Sequence, residues 1–262
     1  MSGTIRRIRA LLLRYLLLVR RDPSRVVDLV YWPFIDIAIW GLLTVFVAQA
    51  GLPNVLGIFL GGAILWNVFL RASQDVSVSF LDDVWARSLV TLFASPLTFV
   101  EFGVALTVVG FVKVVLALVF MSAIAWLLYA FDLFTLGWAL LPFAANLIVF
   151  GWTLGLVSLA IVLRWGGRWA ILAWSIPFTM MPISSVFYPE RVLPPAVRAV
   201  ARAIPANHVF EGMRAVLIEK RMAWDRVAIA TVENAVYLAL AAALVAWTFR
   251  VALTRGLLPK VR

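Results

Sequence analysis

Long apolar runs joined by short polar connections make up most of the chain. Charge-poor stretches fall at about 27–48, 54–73, 99–128, 136–163, 169–188 and 228–249. A helix needs ~20 apolar residues to cross a hydrocarbon core ~30 Å thick, so each run is long enough to span. The stretch from Ile37 to Leu70 holds no charge and is too long for one crossing; Gly51-Leu52-Pro53-Asn54 supplies the turn that divides it. The third run exceeds what a crossing needs, which implies tilt or protrusion. The pattern predicts an all-α integral membrane protein of six transmembrane helices, with residues 1–262 as a single transmembrane domain.

The first 25 residues follow a different pattern. Ile5, Ile8, Leu12, Tyr15, Leu16 and Val19 recur at three-or-four spacing among Arg6, Arg7, Arg9, Arg14, Arg20 and Arg21. This predicts a basic amphipathic helix lying in the cytoplasmic interface. It lacks the unbroken apolar region and small-residue cleavage site of a signal peptide, so no cleavage is expected. Asp22-Pro23-Ser24 breaks the helix, because a residue before proline avoids helical geometry.

Composition agrees with membrane insertion: 64% of residues are hydrophobic, only 14% are charged, and mean hydropathy is +1.01. Little sequence is left for a large soluble domain. The net charge of +10 suits anionic lipid and the positive-inside rule better than nucleic acid, since the basic residues gather at the termini and in short loops. Six spans with both termini cytoplasmic put Arg71, Arg87, Arg164, Arg168, Arg250, Arg255, Lys260 and Arg262 inside with the N-terminal arginines. The connection from about 189 to 227 then violates the rule, because it is external yet carries Arg191, Arg198, Arg202, Arg214, Lys220, Arg221 and Arg226. A competing topology makes 169–188 re-entrant, helped by Pro177 and Pro182, and places the C-terminus outside.

Two connections are longer than topology requires. From Arg71 to Pro96 the chain carries Asp75, Asp82, Asp83 and Arg87, with Phe80, Val84, Leu81, Trp85, Ser88 and Leu92 at helical spacing. Residues 75–92 therefore predict a short interfacial helix presenting acids and aromatics to a partner, the alternative being a solvated loop. In the connection 189–227, Pro189, Pro194, Pro195 and Pro205 punctuate two amphipathic pieces, about 194–204 and 207–222, able to dip into the outer leaflet as re-entrant helices or a gate.

Several chemistries are excluded. The chain has no cysteine and one histidine, His208, so disulfides, thiolate sites and paired-histidine metal sites are absent. None of Lys113, Lys220 and Lys260 is followed by Ser or Thr, so no P-loop is present. His208 follows Pro205 in a turn and suits a capping or structural role better than catalysis. No catalytic, metal or cofactor residues are predicted, and an intramembrane enzyme lacks a clustered acid and base set.

Three ionisable residues fall within the predicted spans: Asp36, Lys113 and Glu233. A charge at the bilayer centre costs about 2.5–3.5 kcal/mol on insertion scales, so each needs a reason. Either they form an ion or substrate path, or Asp36 pairs with Lys113 while Glu233 reaches interfacial water. Gly57 and Gly61, and Gly151 and Gly155, have the spacing of close helix packing. Trp32, Trp126, Trp138, Trp165, Trp169, Trp224 and Trp247 fall near span ends, as interface anchors do.

Two stretches resemble the ABC type-2 permease family, the membrane-spanning subunits of ABC exporters, within a resemblance that covers essentially the whole chain. One is Trp85-Ala86-Arg87-Ser88-Leu89-Val90-Thr91-Leu92-Phe93-Ala94-Ser95-Pro96-Leu97, similar to the family's segment before the third helix. The other is Val186-Phe187-Tyr188-Pro189, then Leu193-Pro194, then Pro205-Ala206-Asn207-His208-Val209-Phe210-Glu211-Gly212-Met213-Arg214, similar to its external segment before the last span. The family often has glycine where this chain has Ser185.

The resemblance implies a bacterial inner-membrane permease paired with a second permease copy, identical or related, and driven by two separate ABC ATPase subunits that bind the ATP and magnesium. It makes 75–92 the coupling helix, with Phe80, Trp85 and Leu89 as apolar anchors in an ATPase groove and Asp82, Asp83 and Arg87 as charged contacts. It makes Phe187, Tyr188, Pro189, Pro205, His208, Glu211 and Arg214 part of an external gate. The exported cargo would be amphipathic or hydrophobic: a lipid-linked glycan, a lipid or a drug-like molecule. The rival from another class is an ATP-independent channel or ion-coupled carrier using Asp36, Lys113 and Glu233, although no internal repeat is visible.

Overall fold

The computed structural model describes residues 2–21, 23–49, 55–85, 98–166 and 169–254. Among these the fold is all-helical: α1 (Ser2–Arg21), α2 (Pro23–Ala48), α3 (Val55–Trp85), α4 (Phe99–Tyr129), α5 (Leu140–Trp165), α6 (Ile171–Thr179), α7 (Pro195–Ala201), α8 (Pro205–Arg214) and α9 (Trp224–Thr254). A 3-10 segment, Leu133–Ala139, leads into α5, and a π segment, Ala215–Glu219, follows α8. Five stretches among the described residues are long and apolar enough to cross a membrane: Val30–Ala48, Leu56–Val78, Gly103–Tyr129, Leu133–Trp165 and Trp224–Val251.

The run at 169–188 is not one long helix. Its helix, α6, ends at Thr179 after 9 residues, or ~14 Å, and turns carry the chain through Ser185. Pro177 and Pro182 account for this, since proline removes a backbone donor and disfavours helix before it. The residues around 75–92 also differ from expectation. α3 runs unbroken for 31 residues, ~46 Å, so 75–85 extend the second long helix. Gly51 to Asn54 and residues 86–97, with Arg87 and Leu89, lie outside the described residues, as does Asp22 between α1 and α2.

α3 is the central helix and makes its most extensive contact with α5. A Cβ on Gly151 would sit 2.6 Å from the Phe69 carbonyl oxygen, and one on Gly155 would sit 2.7 Å from that of Ser73. Both glycines therefore let α5 lie against the α3 backbone, the packing their spacing suggested. α9 joins α5 through Asn234, whose amide donates to the Asn146 backbone oxygen (3.0 Å) and side-chain oxygen (2.9 Å). α4 begins with a capping box: Thr98 Oγ1 accepts from the Glu101 N–H, and the Glu101 carboxylate accepts from the Thr98 N–H.

α1 docks at one end of this bundle. Leu11 and Tyr15 pack with Ala105 and Leu106 of α4, Leu159, Ala160 and Leu163 of α5, and Val245 of α9. Arg7 adds a two-nitrogen contact to Glu101, Nη2 to Oε1 at 2.6 Å and Nε to Oε2 at 3.0 Å. This pair draws the Glu101 carboxyl down to about 2, helped by the Thr98 N–H. α1 thus buries one face against the bundle and leaves Ile5, Leu13 and Leu17 exposed on the other.

Candidate functional site

At the end opposite α1, residues 186–222 fold back onto the long helices. Met213 and Leu217 lie against Gly61 and Gly57 near the start of α3, and the Val186 carbonyl lies against Gly62. Gly57 and Gly61 therefore admit this segment rather than a second long helix. Phe187 stacks on Trp40 of α2, ring centroids 3.6 Å apart, and on Phe59 of α3 at 5.8 Å. The expected helical pieces are present, as α7 and as α8 with its π extension.

An ionic cluster fixes this arrangement. Glu190, 7% exposed, follows Pro189 and receives Arg202 Nε at 2.6 Å, Asn207 Nδ2 at 3.1 Å and Arg226 Nη1 at 3.5 Å. Burial raises the Glu190 carboxyl, but the Arg202 and Asn207 hydrogen bonds and the two guanidinium charges outweigh it and hold the carboxyl below its ordinary value. The Glu190 N–H donates to Glu211 Oε1 at 2.6 Å, and Arg214 Nη2 donates to the same oxygen at 2.8 Å. Arg214 Nη1 reaches the Val186 carbonyl at 3.4 Å. Tyr188 donates its hydroxyl to the Pro182 carbonyl.

His208 is buried at the centre, and its contacts assign the tautomer. Arg226 Nη1 donates to Nδ1 at 3.2 Å, which leaves Nε2–H to donate to the Arg202 carbonyl at 2.9 Å, with Glu233 Oε1 3.6 Å away. The ring is structural, joining α7, α8 and α9. Pro205 is the first residue of α8, where its missing N–H costs nothing.

The same contacts partner several of the basic residues of 189–227. Arg202 and Arg226 pair with Glu190, Arg214 with Glu211, and Arg221 with Glu219 at 2.5 Å. Four of the seven basic residues of 189–227 are thus paired, but by three carboxylates, and the segment keeps a net positive charge. Glu190, Asn207 and Arg226 were not singled out from sequence as site residues, although an acid directly after Pro189 in an arginine-rich stretch was a readable signal.

The charges within the long helices are also partnered, but not as expected. Asp36 and Lys113 do not pair: Asp36 Oδ2 accepts from Asn67 Nδ2 at 3.1 Å, and Lys113 Nζ lies 2.9 Å from Asp75 Oδ1. Asn67, Arg71 and Asp75 repeat at four-residue spacing, so they form one polar face of α3 that serves α2 on one side and α4 on the other. Phe80, Asp82, Asp83 and Trp85 lie on the last turns of α3, whereas Met213 and Leu217 lie against its start.

No protein-family profile matches the chain. It is 29% identical over 154 residues to the capsule polysaccharide export inner-membrane protein CtrC of Neisseria meningitidis serogroup B (strain ATCC BAA-335 / MC58), covering 59% of this chain and 50% of that protein. The chain thus aligns with about half the length of this relative. Helix composition and this similarity together make it a multi-helix membrane protein similar to an inner-membrane export component.

Proposed function

We propose that this chain is the permease subunit of an ATP-driven exporter, crossing the bacterial inner membrane six times with α1 and both termini on the cytoplasmic side. The observation that carries this reading is the fold-back of residues 186–222 onto the starts of α3 and α9, held by Glu190. That placement suits an element that closes the outer end of a pathway, the role the resemblance implies for Phe187, Tyr188, Pro189, Pro205, His208, Glu211 and Arg214. The short α6 with its turns serves as the remaining crossing: the preceding helix ends where Arg164 lies over Trp247, whereas Val186 already touches Gly62.

The extension of α3 beyond the apolar core carries Phe80, Asp82, Asp83 and Trp85 out of the membrane, and with Arg87 and Leu89 this forms the contact for a separate ABC ATPase that binds ATP and magnesium. Two permease copies pair through outward apolar faces, for which Trp32, Phe34, Leu42 and Phe46 of α2 are exposed. The cargo is a polysaccharide or lipid-linked glycan, by likeness to the capsule export protein. Ion coupling through Asp36, Lys113 and Glu233 is disfavoured, because each already has a protein partner.

The test is affinity purification of the tagged chain from its host membranes in mild detergent. A stoichiometric nucleotide-binding protein is expected with the native chain and absent with Asp82→Lys/Asp83→Lys, which should still insert. A chain that purifies alone and still moves solute overturns the proposal.

A further inference from the structure

We propose that the cleft between the 3-10 segment Leu133–Ala139 and the start of α9 binds the head group of an anionic phospholipid of the leaflet at that end of the bundle. The cleft encloses about 350 Å³ and is lined by Thr135, Trp138, Val216, Lys220, Arg221 and Trp224, among others. It lies at the ends of two membrane-capable stretches, Leu133–Trp165 and Trp224–Val251. This inference rests on membrane insertion alone and not on the exporter reading.

Three observations converge on that occupant. First, Trp138 is 87% exposed and Trp224 66%, a large solvent cost in water but the ordinary position of an indole at the level of lipid head groups. Second, the charge is complementary to a phosphate. Lys220 has no ion-pair partner among the described residues, and Arg221 shares only the exposed Glu219. Third, Lys220 closes the π segment as its left-handed C-cap (φ 55°), which turns the chain at the cleft, where Lys220 and Arg221 both line the wall. Exposed Phe134, Leu141, Ile229 and Val232 continue from the cleft along the two elements and offer apolar surface to the acyl chains.

The site is tested on the purified, delipidated full-length chain by native mass spectrometry with phosphatidylglycerol and phosphatidylcholine. The native chain should prefer phosphatidylglycerol by on the order of tenfold. Lys220→Gly/Arg221→Gln should abolish the preference while keeping the fold, since glycine accepts the left-handed backbone. Arg191→Gln, an exposed cation elsewhere at the same end, should retain it. Equal binding of the two lipids, or a preference unchanged in the double variant, overturns the proposal. Displacement of the lipid by inorganic phosphate or by an acidic oligosaccharide, each at equimolar concentration, overturns it too, by assigning the cleft to a free anion or to cargo.

Discussion

Lys113 of α4 places its Nζ 2.9 Å from Asp75 Oδ1 of α3, with the carboxylate side chain 11% exposed. Truncating Lys113 removes a charge-assisted hydrogen bond from a largely buried carboxylate, which costs about 1.5–3 kcal/mol. Lys113→Met should therefore lower the detergent-solubilised thermal midpoint strongly. A single variant as stable as the native chain would show that the pair does not hold α3 to α4.

The contact between Arg7 and Glu101 makes the docking of α1 sensitive to acid. The Glu101 carboxyl is lowered from 4.5 to about 2, so the undocked state binds the proton more readily. The stabilisation is complete above about pH 4.5 and is lost as pH falls from there through about 2. Hydrogen exchange should show α1 protection that is level from neutral pH to about 5 and declines below it. Glu101→Gln should remove this dependence and leave α1 less protected throughout.

Ser185 adopts φ 54° and is fully buried, and its hydroxyl has no hydrogen-bond partner. Both features favour glycine, which takes this conformation without strain and carries no polar group to satisfy. Ser185→Gly should raise stability by about 1 kcal/mol, and Ser185→Val should lower it by more. The thermal midpoints of the two variants check the order.

Two glycines of the long helices should respond oppositely to alanine. At Gly155 the new Cβ would meet the Ser73 carbonyl at 2.7 Å and force α5 away from α3, whereas at Gly103 nothing lies within 4 Å. Gly155→Ala should destabilise by about 1–3 kcal/mol, and Gly103→Ala should stabilise by up to about 1 kcal/mol through helix propensity. Unfolding in detergent measures both.

The long helices were legible because a crossing imposes its length on the sequence: the run at 99–128 became Phe99–Tyr129 almost unchanged. The continuation of α3 was obscured because Arg71 and Asp75 look like the end of a span, whereas they are paired inside the bundle. The Asp75–Lys113 partnership, 38 residues apart, has no local signature. Thr98 and Glu101 carry one, the capping-box spacing, although the apolar run alone placed the start of α4. The Glu190 cluster was half legible: the prolines placed its turns and the resemblance supplied its segment. Only the folded chain brings Glu190, Arg202 and Arg226 together.

A segment that closes the outer end of an ATP-driven pathway, as proposed for residues 186–222, moves when the separate ATPase turns over. The chain has no cysteine, so Gly57→Cys with Leu217→Cys creates a unique pair, at positions where a Cβ on residue 57 lies 3.2 Å from Leu217 Cδ1. The measurement is ATP hydrolysis by the co-purified complex in lipid vesicles before oxidation, after oxidation and after reduction. The account predicts that the cross-link suppresses hydrolysis and that reduction restores it. Hydrolysis that continues unchanged with the cross-link complete would contradict it.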